Sequence, residues 1–219
     1  MAALAPLPHS FYDRNAVWVA PDLVGCLLVR RAGRGALRVA RIVETEAYVG
    51  EHDLACHARA GRTARTEVMY GEPGHAYVYL IYGLHHCLNT VCGPGGDANA
   101  VLIRAAEPLS SDGLPPLPGR ARLLTLGHSA TGPGNLCRAL ELTLANNRGD
   151  LCDARAPLFI APRPFDREPR LWAGPRVGVD YSGEWARAPL RFCDLDSPHL
   201  SRPLPPARRQ ALRRKRAAR

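Results

Sequence analysis

One stretch of the chain decides the fold, and it reads Arg41-Ile42-Val43-Glu44-Thr45-Glu46-Ala47-Tyr48. A later stretch of similar character reads Tyr77-Val78-Tyr79-Leu80-Ile81-Tyr82-Gly83. Both are rich in β-branched and aromatic residues, which is typical of β-strands. Carboxylates nevertheless stand where the core of a sheet is normally apolar. Flat rings beside an acid indicate a pocket for a planar base.

The first stretch belongs to a predicted β-hairpin. An apolar strand, Cys26–Arg30, is followed by a Gly-rich turn and then by the long strand Leu37–Tyr48. Successive side chains of a strand point to opposite faces of the sheet. The alternation therefore predicts that Glu44, Glu46 and Tyr48 share one face.

Strand patterns outnumber helical patterns in the rest of the chain. The further predicted strands are Ala76–Tyr82, Cys87–Cys92, Ala100–Ala106, Leu158–Ala161, Arg176–Val179 and Leu190–Phe192. The predicted helical segments are Val19–Val24, a single turn at Ala121–Leu126, and a helix capped by Asn135 that runs to Leu142. We therefore predict an α+β fold: a single domain with a curved, mainly antiparallel β-sheet and a protruding β-hairpin, flanked by a few helices.

The size and charge of the chain set limits on its organisation. A chain of 219 residues with 46% hydrophobic residues buries one substantial core, so we expect a single domain over residues 1–200. Residues 201–219 hold eight of the 29 basic residues and no acid, which leaves 21 basic against 20 acidic residues in the domain. We expect this basic tail to be disordered. It either attracts phosphate without regard to sequence or only keeps the protein soluble.

Several function classes are disfavoured by composition. The longest apolar runs are too short for a membrane helix, and the N-terminus lacks the basic residues of a signal peptide, so we expect a cytoplasmic, bacterial-style protein. The seven scattered cysteines are more typical of reduced core thiols than of a disulfide framework. The only lysine, Lys215, lies in the tail, which disfavours Schiff-base chemistry at a buried site.

The order of the motifs resembles a known family. The matching segments are 41–48, His57, Met69–Gly74, Tyr77–Gly83, Cys87–Asn89, Leu102–Pro108, Gly132–Leu136, Arg176–Val179 and Gly183–Trp185. Together they resemble the 3-methyladenine DNA glycosylases of the alkyladenine (methylpurine) type, over about Phe11 to Phe192. The resemblance implies a base-excision repair enzyme that hydrolyses the N-glycosidic bond of alkylated or deaminated purines in DNA and leaves an abasic site.

The resemblance also implies roles for individual residues. Glu46 matches the carboxylate that activates the attacking water, and Arg104 matches the arginine that helps to hold the water and this carboxylate. Glu44 is expected to be a structural acid paired with a buried arginine. Such a mechanism needs no metal or other cofactor.

Base recognition is expected to fall to a second group of residues. Tyr48, His57 and Tyr79 match the residues that stack on the flipped base, and damaged purines that carry positive charge stack well on electron-rich rings. Tyr82 is placed at a hairpin tip, where it matches the residue that wedges into the duplex. Asn89 matches the side chain that obstructs the exocyclic amino group of normal guanine.

The implied partner is double-stranded DNA that contains damaged purines, bound by a monomer. The expected contacts to the DNA backbone are Arg62, Thr63, Arg65, Leu84, His85 and the amides of Val177, Gly178 and Val179. Such contacts orient the DNA without reading its sequence.

Three other readings remain open from the residues alone. Glu44 and Glu46 would have Cα atoms about 6.6 to 6.8 Å apart, within the range of an inverting glycosidase pair, although same-face neighbours point in parallel. A zinc-binding module would use ligands drawn from Cys56, His57, His85, His86, Cys87 and Cys92, which lack a paired Cys-x-x-Cys spacing. The third is a DNA-binding protein of the same fold without activity, which the presence of Glu46 disfavours.

Overall fold

The computed structural model describes residues 4–110, 114, 117, 121–164 and 168–205. The strands in these residues are β1 (Leu27–Arg31), β2 (Ala36–Val49), β3 (Ala76–Ile81), β4 (His85–Cys92), β5 (Asn99–Pro108), β6 (Arg122–Leu123), β7 (Leu158–Ala161), β8 (Leu171–Gly174) and β9 (Arg191–Asp194). The α-helices are α1 (His9–Tyr12), α2 (Ala16–Leu23) and α3 (Pro133–Ala139). The predicted α+β fold is confirmed.

The strands form one sheet with β2 at its centre. The main order is β3-β4-β5-β2-β1-β7, and these neighbours all pair antiparallel. The far half of β2 pairs with β9, which continues to β8, while the short β6 runs parallel to the start of β2. The long strand β2 thus changes partners along its length, and this allows the sheet to curve.

The two faces of this curved sheet have different environments. One face packs against α2 and α3 in the main hydrophobic core, which includes Leu23, Ile42 and Leu136. On the other face Met69, Tyr77 and their buried neighbours form a second, smaller cluster, against which Tyr48 and Tyr79 pack. The alternation of side chains along β2, β3 and β4 separates the two environments.

The 3-10 helices of the loop between β2 and β3 cover that second face. They are His57–Ala60 and Glu67–Tyr70, and both lie in the long polar segment that precedes β3. Val68 and Met69 of the second 3-10 helix are buried in the small cluster. The loop therefore closes one side of the space in front of the sheet.

Four local predictions are wrong. Residues 121–126 contain the strand β6 rather than a turn of helix, because they add to the edge of the β1–β2 hairpin. Residues 176–179 are irregular, and the strand of this region is β8 instead. Helix α3 is preceded by Gly132 as its cap residue, while the Asn135 side chain donates to the carbonyl of Thr131. The helix α2 begins at Ala16 under an Asn15 cap, three residues before the predicted start.

The first described residues after position 200 contact the sheet. The backbone amide and hydroxyl of Ser201 both donate to Glu44, and Leu204 is buried in a cluster with Trp172 and Cys193. Ser201 and Leu204, at the start of the predicted tail, therefore pack against the rest of the domain. The remainder of the tail prediction concerns residues outside the described part of the chain.

In the described part of the chain, α2 and α3 are far shorter than a lipid bilayer is thick, and no helix has the length and apolarity needed to cross one.

Candidate active site

A cavity of about 150 Å³ opens between the second face of the sheet and the loop that covers it. It is lined by Tyr48, Ala55, Cys56, His57, Met69, Tyr77, Tyr79, Ile81, Cys87, Asn89, Ala100, Leu102, Arg104, Pro133, Val177, Gly178, Val179 and Tyr181. A protein cavity of this size takes up a single benzene ring.

Aromatic rings form the walls of this cavity. The rings of His57 and Tyr79 meet edge to face, with centroids 4.6 Å apart, and the Tyr77 ring lies 5.2 Å from that of Tyr79. The His57 Nδ1 atom shares a hydrogen bond of 2.9 Å with the Tyr77 hydroxyl. This network fixes the angle of each ring, so a flat ligand meets preformed surfaces.

The aromatic side chains that form these walls are uncharged at neutral pH. Burial, followed by the charges of Arg65 and Arg59, lowers the pKa of His57 to about 4, so the imidazole is uncharged at neutral pH. Burial also raises the pKa of Tyr48 and of Tyr79 well above the usual value of a phenol. The rings of His57, Tyr48 and Tyr79 therefore present electron-rich faces and carry no positive charge of their own.

Glu46 is completely buried one layer behind the cavity wall. Its Oε1 atom accepts a bond from the Val177 amide at 2.7 Å. Its Oε2 atom accepts from the Tyr48 hydroxyl at 2.9 Å and from Arg104 at 3.2 Å. All three donor residues line the cavity. Because a carboxylate oxygen has two acceptor sites, Oε1 keeps one lone pair for a further donor such as water.

The neighbouring Glu44 accepts four hydrogen bonds from three residues. Its Oε1 atom accepts from Arg104, Arg191 and the Ser201 hydroxyl, and its Oε2 atom accepts from the Ser201 amide. The prediction that Glu44 pairs with a buried arginine is confirmed. The shared face of Glu44, Glu46 and Tyr48 is also confirmed, because the first two contact one guanidinium and the third contacts Glu46.

The shared guanidinium is that of Arg104 on β5. Burial opposes its positive charge, but the carboxylates of Glu46 and Glu44 outweigh this effect and raise the pKa of Arg104. The β2–β5 ladder shifts register on both sides of Glu44. This irregularity lets Arg104 face both acids at once, so the fold holds a permanently charged clamp behind the cavity.

A second buried ion pair supports the Tyr48 wall. Arg176 and Asp53 form a two-pronged salt bridge in which both side chains are fully buried, and Arg176 also donates to the carbonyl of Ala47. The guanidinium lies 4.6 Å from the centre of the Tyr48 ring. It occupies one face of that ring, which leaves the opposite face for a ligand.

The hairpin between β3 and β4 ends in a strained tip close to the cavity, whose lining includes Ile81. Tyr82 has φ 53° and Gly83 has φ 70°, and the Leu84 amide donates to the carbonyl of Ile81. Two consecutive residues with positive φ are typical of a type I′ turn, but a tyrosine is unfavourable there. The Tyr82 side chain is 87% exposed and Leu84 is 77% exposed.

The remaining site residues named from sequence are placed as follows. Asn89 is buried in the cavity lining, where its amide donates to the carbonyl of Tyr77. Arg65 lies over the Tyr79 ring at 5.1 Å, and Thr63 bonds Thr66. Arg62 forms an exposed ion pair with Glu67.

Two of the predicted DNA-contacting segments contact other parts of the protein. The Val177 amide donates to Glu46, while the predicted phosphate contacts of Val177, Gly178 and Val179 stay predictions. The exposed side chain of His85 lies against Gly134 of α3, next to the hairpin tip.

Two of the alternative readings lose support. Glu44 and Glu46 are both buried against one arginine and do not flank an open cleft, which contradicts the inverting pair. In the described residues, the one group of three potential metal ligands is His9, Asp150 and Cys152, which contains none of the ligands proposed for the zinc module. The cysteines Cys56 and Cys87 instead line the cavity.

Sequence reasoning missed the supports of the site. Arg176 stands in a segment that resembles the family, but its pairing with Asp53 has no signal in the sequence. Ser201 lies in the predicted basic tail, although it binds Glu44. Such contacts join residues far apart in the chain, so only the folded structure reveals them.

The fold and the site together define an enzyme with an aromatic pocket for a flat ring and a clamped carboxylate one layer behind the pocket's lining. The chain belongs to the Methylpurine-DNA glycosylase family, whose family model matches residues 10–198. It is accordingly a DNA glycosylase, a hydrolase of N-glycosyl bonds.

Individual proteins are similar over nearly their whole length. A protein of Myxococcus xanthus (strain DK1622) is 52% identical over 204 residues, which cover 93% of this chain and 97% of that protein. A protein of Methanocella arvoryzae is 50% identical over 202 residues, covering 91% and 97% respectively. A protein of Legionella pneumophila (strain Lens) is 41% identical over 196 residues, covering 90% and 98%. Each is named "Putative 3-methyladenine DNA glycosylase".

Proposed function

We propose that this protein flips alkylated or deaminated purines out of duplex DNA and hydrolyses their N-glycosidic bond with a water molecule activated by Glu46. The observation that carries the proposal is Glu46 Oε1, which among the described residues accepts from the Val177 amide alone and lies directly behind a cavity walled by aromatic rings. The product is free base and an intact strand with an abasic site.

The catalytic step follows from this geometry. A water molecule donates one hydrogen to Oε1 of Glu46, and its oxygen attacks the anomeric carbon of the sugar as the bond to the base breaks. The water proton passes to Glu46, and the bonding electron pair leaves with the base. The sugar becomes cation-like, so the nearby carboxylate stabilises it as well as deprotonating the water.

Arg104 positions this machinery. Its guanidinium ties the carboxylate of Glu46 to that of Glu44, which holds the Glu46 side chain in one orientation. The Val177 amide and the Tyr48 hydroxyl restrain the same carboxylate from two other directions. Such preorganisation lowers the cost of aligning the reacting groups.

Recognition of the damaged base rests on stacking and exclusion. The open face of Tyr48 and the rings of His57 and Tyr79 would grip the base, and a purine made cationic by alkylation gains most from these neutral walls. Asn89 is held by the Tyr77 carbonyl, so its side chain cannot swing aside for the exocyclic amino group of guanine.

Extraction of the base is assigned to the hairpin tip. Tyr82 would enter the duplex and fill the space left by the flipped nucleotide, at an unstacking cost of a few kcal/mol that is smallest for weakly paired lesions. The flanking phosphates would contact Arg62, Thr63, Arg65, Leu84, His85, Gly178 and Val179, and the protein would act as a monomer without a cofactor in catalysis.

The test is an assay with defined lesions. Duplexes that each carry one 3-methyladenine, 7-methylguanine, hypoxanthine or ethenoadenine are incubated with the protein and a chelator, and released base is measured. We expect free base from at least one duplex, with strand breaks appearing only after alkali. The proposal would be contradicted if none of the four lesion duplexes released more base than an undamaged duplex. Nicking of the strand by the protein alone would contradict it as well.

The variant Glu46→Gln tests whether Glu46 is the group that deprotonates the attacking water. We expect the rate of base release to fall by at least about 10²- to 10⁴-fold, with binding to abasic-site DNA retained, because the amide cannot accept a proton. Glu44→Gln is the matched control: it keeps one acceptor oxygen but loses the charge opposite Arg104 and Arg191 and an acceptor for the Ser201 amide, so it should lower thermal stability more than activity per folded molecule. Equal loss of binding and release in Glu46→Gln would show that Glu46 is structural.

A further inference from the structure

A cluster of three potential metal ligands lies outside the active site. His9 of α1 meets Asp150 and Cys152, which belong to the segment that follows α3, and one ligand atom from each residue lies within 4.8 Å of the other two. None of the three lines the cavity described above. Imidazole, carboxylate and thiolate form a donor set typical of zinc.

The hydrogen bonds of His9 fix which nitrogen is available. Its Nδ1 atom lies 2.9 Å from the carbonyl oxygen of Pro73. A carbonyl only accepts hydrogen bonds, so Nδ1 carries the proton and the neutral ring has its lone pair on Nε2. A histidine that binds a metal through one ring nitrogen almost always donates its other ring N–H in this way, to a backbone carbonyl, a carboxylate or water.

The Nε2 atom faces a carboxylate at an unusual distance. It lies 3.6 Å from Asp150 Oδ2, whereas a direct charge-assisted hydrogen bond measures about 2.7 to 2.9 Å. Two zinc ligands of this type, at metal distances of about 2.0 to 2.2 Å and a tetrahedral angle, lie about 3.4 Å apart. The observed gap therefore matches two atoms that share one metal ion.

The other two ligands are held in place by the backbone. Asp150 Oδ1 accepts from the Cys152 amide at 2.8 Å, which turns Oδ2 towards His9. The backbones of His75 and Asp150 form a β-bridge, and the Leu151 amide donates to the carbonyl of Gly74. The segments that carry Asp150 and Cys152 therefore form a rigid frame.

Gly74 leaves the space that the cluster needs. It has φ +84°, and a Cβ at this position would lie 2.6 Å from Cys152 Sγ and 3.3 Å from His9 Nδ1. Any other residue would push the sulfur and the imidazole apart. The glycine thus permits both the turn and the convergence of the two ligands.

We propose that His9, Asp150 and Cys152 bind one Zn²⁺ ion, with a water molecule as the fourth ligand. The thiol loses its proton to solvent as the sulfur–zinc bond forms, and no electron is transferred. The ion would tie the N-terminal segment to the frame around Gly74, so it stabilises the fold and takes no part in the hydrolysis. The inference is independent of the proposed function.

The test uses the full chain freed of metal with a chelator. Titration with Co²⁺ should produce a near-ultraviolet thiolate-to-cobalt charge-transfer band that saturates at one equivalent, and Zn²⁺ should abolish this band. Thermal denaturation should show a higher melting temperature with Zn²⁺ than with the chelator. Absence of the band in the parent protein would overturn the proposal and identify the group as an ordinary His–Asp contact.

Variants assign the ligands. His9→Ala and Asp150→Asn should each weaken Co²⁺ binding by more than about 100-fold, since loss of even an outer-shell partner typically costs 10- to 100-fold. His128→Ala, which alters an exposed histidine outside the cluster, should bind Co²⁺ like the parent. Cys152→Ser should remove the charge-transfer band. If the Cys152→Ser protein fails to fold, the Co²⁺ affinities of His9→Ala and Asp150→Asn still decide whether the site exists. Parental affinity in both His9→Ala and Asp150→Asn would refute the site.

Discussion

At the scale of single residues, Tyr82 combines strain with exposure. A side chain other than glycine costs about 1 to 2 kcal/mol in the left-handed region, and asparagine tolerates it better than tyrosine. We therefore expect Tyr82→Asn to raise the free energy of unfolding by about 1 kcal/mol, measured by denaturant titration, while it weakens binding to lesion-containing duplex. Tyr82→Phe, which keeps the ring, should match the parent in both. Unchanged lesion affinity in Tyr82→Asn would remove the wedge assignment.

His57 predicts a pH dependence of stability. Its pKa is about 4 in the folded protein and about 6.5 in the unfolded chain, so the unfolded chain takes up the proton first as the pH falls. The stability contributed by the neutral ring is complete above pH 6.5 and is lost progressively down to pH 4. We expect His57→Gln to show a flatter fall in melting temperature over this window than the parent. Parallel curves would contradict the lowered pKa.

At the scale of elements, the segment after β9 is part of the site's support. Ser201 donates twice to Glu44, and Leu204 is buried against Trp172. A chain that ends at residue 200 leaves acceptor sites of a buried carboxylate unpaired, at about 1 to 3 kcal/mol for each lost partner. We expect it to melt at a lower temperature than a chain that ends at residue 205. Equal melting temperatures would show that the segment is dispensable.

The elements that sequence predicted best are those whose signal is local. The alternation in Leu37–Tyr48 predicted β2 within one residue at each end, because a half-buried strand imposes its period on its own side chains. β8 is short, contains glycine and is stabilised by pairing with β9, so its sequence carries little signal of its own. Arg176–Val179 has a strand-like pattern, but its polar groups bind Glu46 and Asp53 rather than a neighbouring strand.

The site shows the same contrast between features with a local sequence signal and features that depend on contacts between distant segments. Period two was enough to bring Glu44, Glu46 and Tyr48 to one face. The pairing of Arg104 with both acids depends on the shifted register between β2 and β5, which two separate sequence segments do not encode visibly. The clamps formed by Arg176 and Ser201 depend in the same way on contacts across the folded chain.

At the scale of the whole molecule, the basic residues are unevenly distributed. The net charge of +9 comes almost entirely from residues 201–219, of which Arg202 belongs to the folded domain and the other seven basic residues follow residue 205. The domain itself is nearly neutral, so long-range attraction to DNA would rest on a few arginines near the cavity and on the tail.

Removal of residues 206–219 separates the two candidate roles of the tail. If its seven basic side chains contact phosphates, affinity for undamaged duplex falls, and the slope of log K against log salt decreases by up to about 0.9 for each lost contact, or about 6 in total. We expect a clear decrease, measured by titration at several salt concentrations, with an unchanged rate of base release at saturating enzyme because the site lies within residues 4–205. Identical slopes for the truncated and full chains would assign the tail to solubility alone.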